Sequence, residues 1–373
     1  MKKRIKAGLL LLLVGTFFLP SLSGCAYKGV DKRSFVVGIG VDPAEGNGKD
    51  DKFKVTLKIA KPIASLKSNT ENEYAYLVHE SDSVAEAMRY LDTEADKVLD
   101  YSQTKILALN PEILSGDLFQ LMDYFVRRGD FQLLLYVVAA VPSAEEVLKV
   151  KPKLESAGEN SLYNFFDETG TESPFVVTTF LFEFRRDYDT KGLSTVLPIV
   201  RGEDSSKFIV NHSIVLKDTV EPVELGLLET KLYNSLKKNS SGFGYQIDNE
   251  GYKFTLTLDR INMKIKIQTK DGQKPRAVVR IKAVGAVNES NKLLHLKELG
   301  HYDRLSAEKL TEEVKELFES LQSKDVDPFG FGLKYRATRL HTDSLLDEWK
   351  AIYPELEFDV KVDLQLKSVG AIQ

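Results

Sequence analysis

Apolar residues are spaced in three different ways along this chain. Residues 7–19 are an apolar run, residues 34–200 alternate strand-length apolar stretches with segments of helical spacing, and residues beyond 252 show long two-residue alternation. In the second region, 34–41 and the alternation of Val55, Leu57 and Ile59 with Thr56 and Lys58 predict strands. Ser83, with Glu86 three residues on, forms a capping box ahead of Val84, Ala87, Met88 and Leu91, which predicts a helix over 83–97. A strand over 105–109 follows, then a helix with Leu118, Leu121, Met122 and Phe125 on one face, ended by Arg127, Arg128 and Gly129. A buried strand over 133–140 and helices around 155–166 and 174–186 complete an α/β domain over 34–200.

Arg201, Gly202, Glu203, Asp204, Ser205 and Ser206 make a polar, turn-rich break that predicts a domain boundary. A small unit over 201–252 then holds a strand at 208–216 and a helix at 224–237, with Leu225, Leu228 and Leu232 on one face. A unit of that size needs a neighbour to pack on. From 253 to 373 the strands alternate cleanly: Phe254, Leu256, Leu258; Met263, Ile265, Ile267; Val279, Ile281, Ala283; and finally Phe358, Val360, Val362, Leu364, Leu366. Two helices lie between them, one with Leu310, Val314, Leu317, Phe318 and Leu321, the other with Leu345, Leu346, Trp349 and Ile352. An antiparallel sheet with two covering helices is the α+β arrangement this predicts. The fold class expected is therefore mixed α/β and α+β, in three domains, each a β-sheet flanked by helices.

Composition adds bounds. With 373 residues, 43% hydrophobic and 28% charged, the chain can bury more than one core and is neither disordered nor multispanning. Basic and acidic residues are interleaved, which leaves no phosphate-tracking stripe and argues against nucleic acid as a partner.

At the N-terminus, Lys2, Lys3, Arg4 and Lys6 precede the apolar run, which stops at Pro20, short of the about 20 residues a membrane span needs. Leu22, Ser23, Gly24 and Cys25 follow, and this pattern resembles the bacterial lipobox. It implies a signal peptide over 1–24, cleavage before Cys25, a diacylglyceryl group on that cysteine and a tether over 25–33. Cys25 is the only cysteine, so no intrachain disulfide can form. Two acyl chains hold stably where one is marginal. Removal of the four basic leader residues leaves 47 basic against 55 acidic residues, a net charge of −8 that gives no electrostatic help on an anionic membrane.

No reaction chemistry emerges. Gly38, Ile39 and Gly40 lack the third glycine and the helix of a dinucleotide fingerprint, with Pro43 close behind, and predict a tight bend at a strand end. His295, Glu298 and His301 are spaced three apart but lack a one-turn histidine pair, and Gly300 is expected to end any helix there. His79, His212 and His341 stand alone. There is no Gly-x-Ser-x-Gly elbow, and Ser235 with Lys238 is an isolated match to a hydrolase motif. The acid pairs Asp187/Asp189 and Asp325/Asp327 read as solvated loops. No catalytic residue, metal ligand or cofactor site is predicted, and the chain is read as a non-enzyme.

The segment Leu321-Gln322-Ser323-Lys324-Asp325-Val326-Asp327-Pro328-Phe329-Gly330-Phe331-Gly332, then Trp349-Lys350, Tyr353-Pro354 and a last strand running to Ser368-Val369-Gly370, resembles the C-terminal region of the Ger(x)C family of spore-germination lipoproteins. Val36-Val37-Gly38-Ile39-Gly40-Val41-Asp42 and the order of elements fit the same family. After the cysteine this chain has Ala26-Tyr27-Lys28 where family members often carry a Trp-Asp pair. Read from the residues, the Phe-Gly-Phe-Gly run is a helix-to-loop stop, with left-handed backbone at Gly330 and Gly332, Phe329 and Phe331 in the core and Trp349 closing its helix on the sheet. The resemblance implies a lipid-anchored subunit on the extracytoplasmic face of the spore inner membrane, working with the A and B subunits of a nutrient germinant receptor in assembly or signal transmission. The alternative is a lipid-anchored extracytoplasmic solute-binding protein, which needs a cleft between two similar lobes.

Overall fold

A computed structural model describes residues 32–368 except 47–51, 62–73, 117, 153–159, 170–172, 218–219, 239–241, 250, 271, 341 and 343. The signal peptide, lipobox and Cys25 lie outside the described residues, as do 155–159 of one expected helix.

A nine-stranded sheet is built around β1 (Arg33–Pro43). β2 (Phe53–Ala60) pairs antiparallel with one side of it, and β3 (Tyr74–Ser81) pairs with β2. On the other side β4 (Val98–Asp100) and β5 (Ile106–Leu109) run parallel to β1, followed in parallel by β6 (Tyr136–Val141) and β7 (Thr195–Asp204). β8 (Lys207–Lys217) and β9 (Val220–Leu225) close the sheet antiparallel. β5 and β6 are apolar at nearly every position because both faces are covered. One face carries α1 (Val84–Glu94), α2 (Leu118–Arg127) and α4 (Leu181–Asp189); the other carries α3 (Ala144–Lys149) and the turns around Leu162 and Phe166. Of the expected capping box the Ser83 half forms, its hydroxyl accepting the Glu86 N–H at 3.2 Å, while the Glu86 carboxylate accepts the Ser81 hydroxyl at 2.9 Å; Val84, Ala87, Met88 and Leu91 are all buried.

Gly38 and Gly40 lie inside β1 and not in a tight bend at a strand end as expected; the pairing with β2 shifts register just before them, between Val36 and Gly38. α3 crosses directly above them, so that a Cβ at Gly40 would sit 3.0 Å from Leu148 and 3.1 Å from Ala144, and one at Gly38 would sit 3.0 Å from Leu148. The glycines are a groove for a helix. β1 then delivers Asp42, whose buried carboxylate accepts the Ala144 and Glu145 N–H groups at 2.7 and 2.9 Å and the Asn110 amide at 3.1 Å. That carboxylate satisfies the free donors of α3 and ties the ends of β1 and β5 to it.

The expected boundary at 201–206 is the tip of the β7–β8 hairpin, where Asp204 accepts the Ser206 N–H at 2.6 Å. A polar turn marks a hairpin as readily as a linker. The residues 201–252 form no sheet of their own: β8 and β9 complete the first sheet, α5 (Leu227–Lys238) follows, and β10 (Phe243–Asn249) opens a second sheet. Other differences are local. Residues 174–180 are not helical, and Leu133, Leu134 and Leu135 precede the strand rather than begin it.

The second sheet has four strands, in the order β10, β11 (Tyr252–Gln268), β12 (Arg276–Ser290) and β13 (Glu357–Leu366). It is antiparallel through β12, while β13 runs parallel to β12 because a long helical crossover intervenes. That crossover holds α6 (Leu299–Ser323), α7 (Phe331–Ala337) and α8 (Leu345–Ile352). Gly300 lies in the first turn of α6 and does not end a helix. The two alternations seen in the sequence at 254–258 and 263–267 are one strand: a bulge between Leu258 and Arg260 switches the inward positions from even to odd, keeping both sets on one face.

A single core runs from the second sheet into the first. Leu232, Tyr233 and Leu236 of α5 join Val177, Val196, Val215 and Leu225 to the apolar face of β10–β13 and to α6. The Asn234 amide also donates to the Pro174 and Val176 carbonyls at 3.2 and 3.0 Å.

Replacing Gly40 with Val forces α3 off β1, since the obstacles are Leu148 and the backbone of Ala144. We expect a loss of about 2 kcal/mol in urea unfolding; an unchanged midpoint would mean that α3 is not seated as described.

Candidate functional site: the clasp between the two sheets

α6 ends in a turn through Asp325, whose φ of 54° is in the left-handed region, with the Val326 N–H returning to the Leu321 carbonyl at 3.1 Å. The turn delivers Asp327 into the interior. Its Oδ1 accepts the Gly330 and Phe331 N–H groups at 2.8 and 3.0 Å, and its Oδ2 accepts the Gly332 N–H at 2.8 Å. These are the donors at the start of α7, so a carboxylate three residues upstream caps that helix. The Phe-Gly-Phe-Gly run therefore begins a helix and does not stop one. Gly330 is left-handed, at φ 77°, as expected; Gly332 is helical and is glycine for a different reason, since a Cβ there would strike the Trp349 indole.

The first sheet meets this turn at Gly192, Leu193 and Ser194, just ahead of β7. The Ser194 N–H donates to the Asp327 carbonyl and its hydroxyl accepts the Asp327 N–H, both at 2.9 Å. The Leu333 N–H donates to the Gly192 carbonyl at 2.9 Å, and Arg336 donates to the Lys191 carbonyl at 2.7 Å. Gly192 has φ 86°, and a Cβ on it would lie 2.8 Å from the Gly332 carbonyl carbon, so the two backbones touch. Further out, Lys217 of β8 donates to both the Asp325 carboxylate and its carbonyl at 2.7 Å. Phe329 and Phe331 fill the core beside Phe318. Trp349 packs between Tyr335 and Tyr353, with both ring centroids 5.3 Å away, and so closes α8 on α7.

Burial pushes the Asp327 carboxyl up to about 6 from its ordinary 3.8, against the opposite pull of the three N–H donors and the Lys237 ammonium. Lys237, itself pushed down by burial, donates to the Phe329 carbonyl at 3.3 Å. Asp325 and Asp327 thus part company: one is a surface ion-pair partner and the other is a core cap, not a solvated-loop acid. An Asp three positions before a Gly that opens a helix is the signal that would have marked it.

Both halves of the chain match descriptions of spore germination proteins. Residues 26–202 match "Spore germination protein N-terminal domain", and residues 220–370 match "Spore germination B3/ GerAC like, C-terminal". The chain belongs to the GerAC-like spore germination family. Within that family, it is 20% identical to "Spore germination protein A3" of Bacillus subtilis (strain 168) over 256 residues, 68% of this chain and 67% of that one. Its fold is similar to that in "Crystal Structure of the GerBC protein", with a TM-score of 0.53 at 18% identity, covering 88% of this chain and 97% of the other. The clasp joins the two family regions, since Gly192 and Ser194 lie in the first and Asp327 to Gly332 in the second.

The remaining sequence candidates do not converge on a site. Glu298 accepts the Tyr302 hydroxyl at 2.6 Å, while His301 accepts from Arg304 at 2.9 Å; among the described residues no three metal-ligating groups come together. His79 stacks on Tyr90, and His212 pairs with Asn211. Asp187 and Asp189 pair with Arg186 and Arg185, both at 2.7 Å. Ser235 is fully buried in α5.

Asp327→Asn turns an amide N–H₂ toward a backbone donor. We expect about 1 to 3 kcal/mol of lost stability in urea at pH 7. The wild-type carboxyl holds a proton in the folded state that the unfolded chain has released between about pH 4 and pH 6, so its contribution to stability falls as pH rises through that window and is flat above it. The Asn variant should lose this slope; an identical pH profile in both proteins would show that Asp327 does not titrate as described.

Proposed function

We propose that this chain is a non-enzymatic lipoprotein subunit of a spore nutrient germinant receptor. A diacylglyceryl group on Cys25, with Leu22, Ser23 and Gly24 as the recognition residues before it, anchors the body on the extracytoplasmic face of the spore inner membrane. There it works with the receptor's A and B subunits in assembly or signal transmission. The observation that carries this reading is the match of both halves to the germination family, the first half beginning at residue 26, directly after the cysteine. One further feature agrees with it: among the described residues no helix is long and apolar enough to cross a membrane.

A coupled two-sheet body suits a subunit that relays or scaffolds. The solute-binding alternative needs two similar lobes around a cleft, whereas here a nine-stranded mixed sheet and a four-stranded sheet are closed on each other. The open cavity of about 480 Å³ beside the clasp is lined by Tyr188, Lys217, Asp325 and Trp349 among others, and Lys217 is committed to Asp325.

Crosslinking and pull-down from spore membranes, comparing wild type with Cys25→Ala, tests the proposal. Wild type should bring down two polytopic subunits, and the variant should be lost from the membrane. A membrane-bound wild type that comes down alone would overturn the receptor assignment and leave the anchor standing.

A further inference from the structure

β1, β4, β5 and β6 are mutually parallel, so they begin toward the same end of the first sheet, β4 opposite Arg33 and β5 and β6 set back to the level of Gly38. Arg33 pairs there with Val98, Lys105 follows next to Val37, and the turn 131–135 feeds β6, its Leu135 N–H bonded to Gln132 and the Gln132 amide bonded to Ser102 at 2.8 Å. Four large apolar side chains are left in solvent on this edge: Val98 at 58% exposure, Leu133 at 43%, Leu134 at 61% and Phe182 at 38%. Leu133 and Phe182 are neighbours through the Phe182 N–H, which donates to the Leu133 carbonyl at 3.2 Å. A single exposed leucine needs no explanation, but a group on one edge does.

The chain's own length indicates what covers this group. Lys32, the first described residue, lies seven positions after Cys25, a stretch that reaches at most about 25 Å when fully extended. β1 itself is 11 residues long, about 35 Å from the edge at Arg33 to the edge at Pro43. An acyl chain held in the bilayer by Cys25 therefore keeps the Arg33 edge close to the headgroups and leaves the Pro43 edge far from them. The mature charge of −8 supplies no overall attraction to anionic lipid, and the exposed group offers this end an apolar contact with the bilayer.

We propose that the edge where β1, β4, β5 and β6 begin rests on the lipid bilayer, with Leu133, Leu134 and Phe182 entering the headgroup region. The anchor and this patch together fix the orientation of the body, with the Asp42 edge pointing away. The proposal rests on the anchoring of Cys25 given above.

The test uses the lipidated full chain in phosphatidylcholine–phosphatidylglycerol vesicles brominated near the headgroup end of the acyl chains. Leu134→Trp reports on the proposed edge, and Glu112→Trp, beyond the end of β5, reports on the opposite one; Trp349, 4% exposed, is a constant background. Brominated lipid should cut the emission added by Leu134→Trp by about two-fold or more and leave that of Glu112→Trp unchanged. Equal emission from Leu134→Trp in plain and brominated vesicles, by protein that floats with them, overturns the proposal while the anchor stands. A lipidated chain that does not float overturns the anchor and this proposal with it, and flotation tells the two failures apart. If quenching is absent and Leu134→Ser abolishes co-purification of polytopic proteins from spore membranes, the patch docks a protein and the bilayer assignment is wrong.

Discussion

One buried residue, Asp327, ties the two sheets together. Asp327 accepts three backbone N–H groups at the start of α7 with its side chain, while its backbone is bonded in both directions to Ser194 of the first sheet. Such a group is costly to bury and costly to orphan, which makes it a determinant of geometry more than a source of net stability. The close approach of Gly192 and Gly332 follows from it, because the turn that presents Asp327 also brings the α7 backbone against the strand-leading loop. A side chain on either glycine would separate the surfaces that the hydrogen bonds draw together.

The apolar packing agrees with this constraint. The core of the second sheet continues through α5 into Val196 and Val215 of β7 and β8, so the interface between the two family regions is interior. Inter-domain contacts within a chain are commonly polar; this one joins a continuous apolar core to a capped carboxylate.

Much of the fold was legible because periodicity reports burial directly. The helices at 84–94, 118–127 and 299–323 bury the residues their spacing selects, and the final strand alternates as written. What was not legible depended on partners distant in sequence. Gly38 and Gly40 looked like a bend because α3, which fills the space above them, begins some hundred residues later. The turn at 201–206 looked like a linker because nothing local distinguishes a hairpin tip from a boundary. The parallel pairing of β13 is set by the crossover length, and the split alternation of β11 by a bulge that periodicity reads as a gap. At the site, the Asp-Pro-Phe-Gly-Phe-Gly run is legible as structural, but by sequence alone Asp327 resembles a surface acid like Asp325. Its partner Ser194, and the Gly192 that meets the helix it caps, lie more than a hundred residues away and carry no local mark of their role.

Calorimetric unfolding of the mature chain tests most directly whether the two sheets form one cooperative body. The account predicts a single endotherm whose calorimetric and van't Hoff enthalpies agree, as for an all-or-none unit. Two resolved endotherms in the wild-type protein would contradict it, because they would mean that each sheet melts without regard to the clasp.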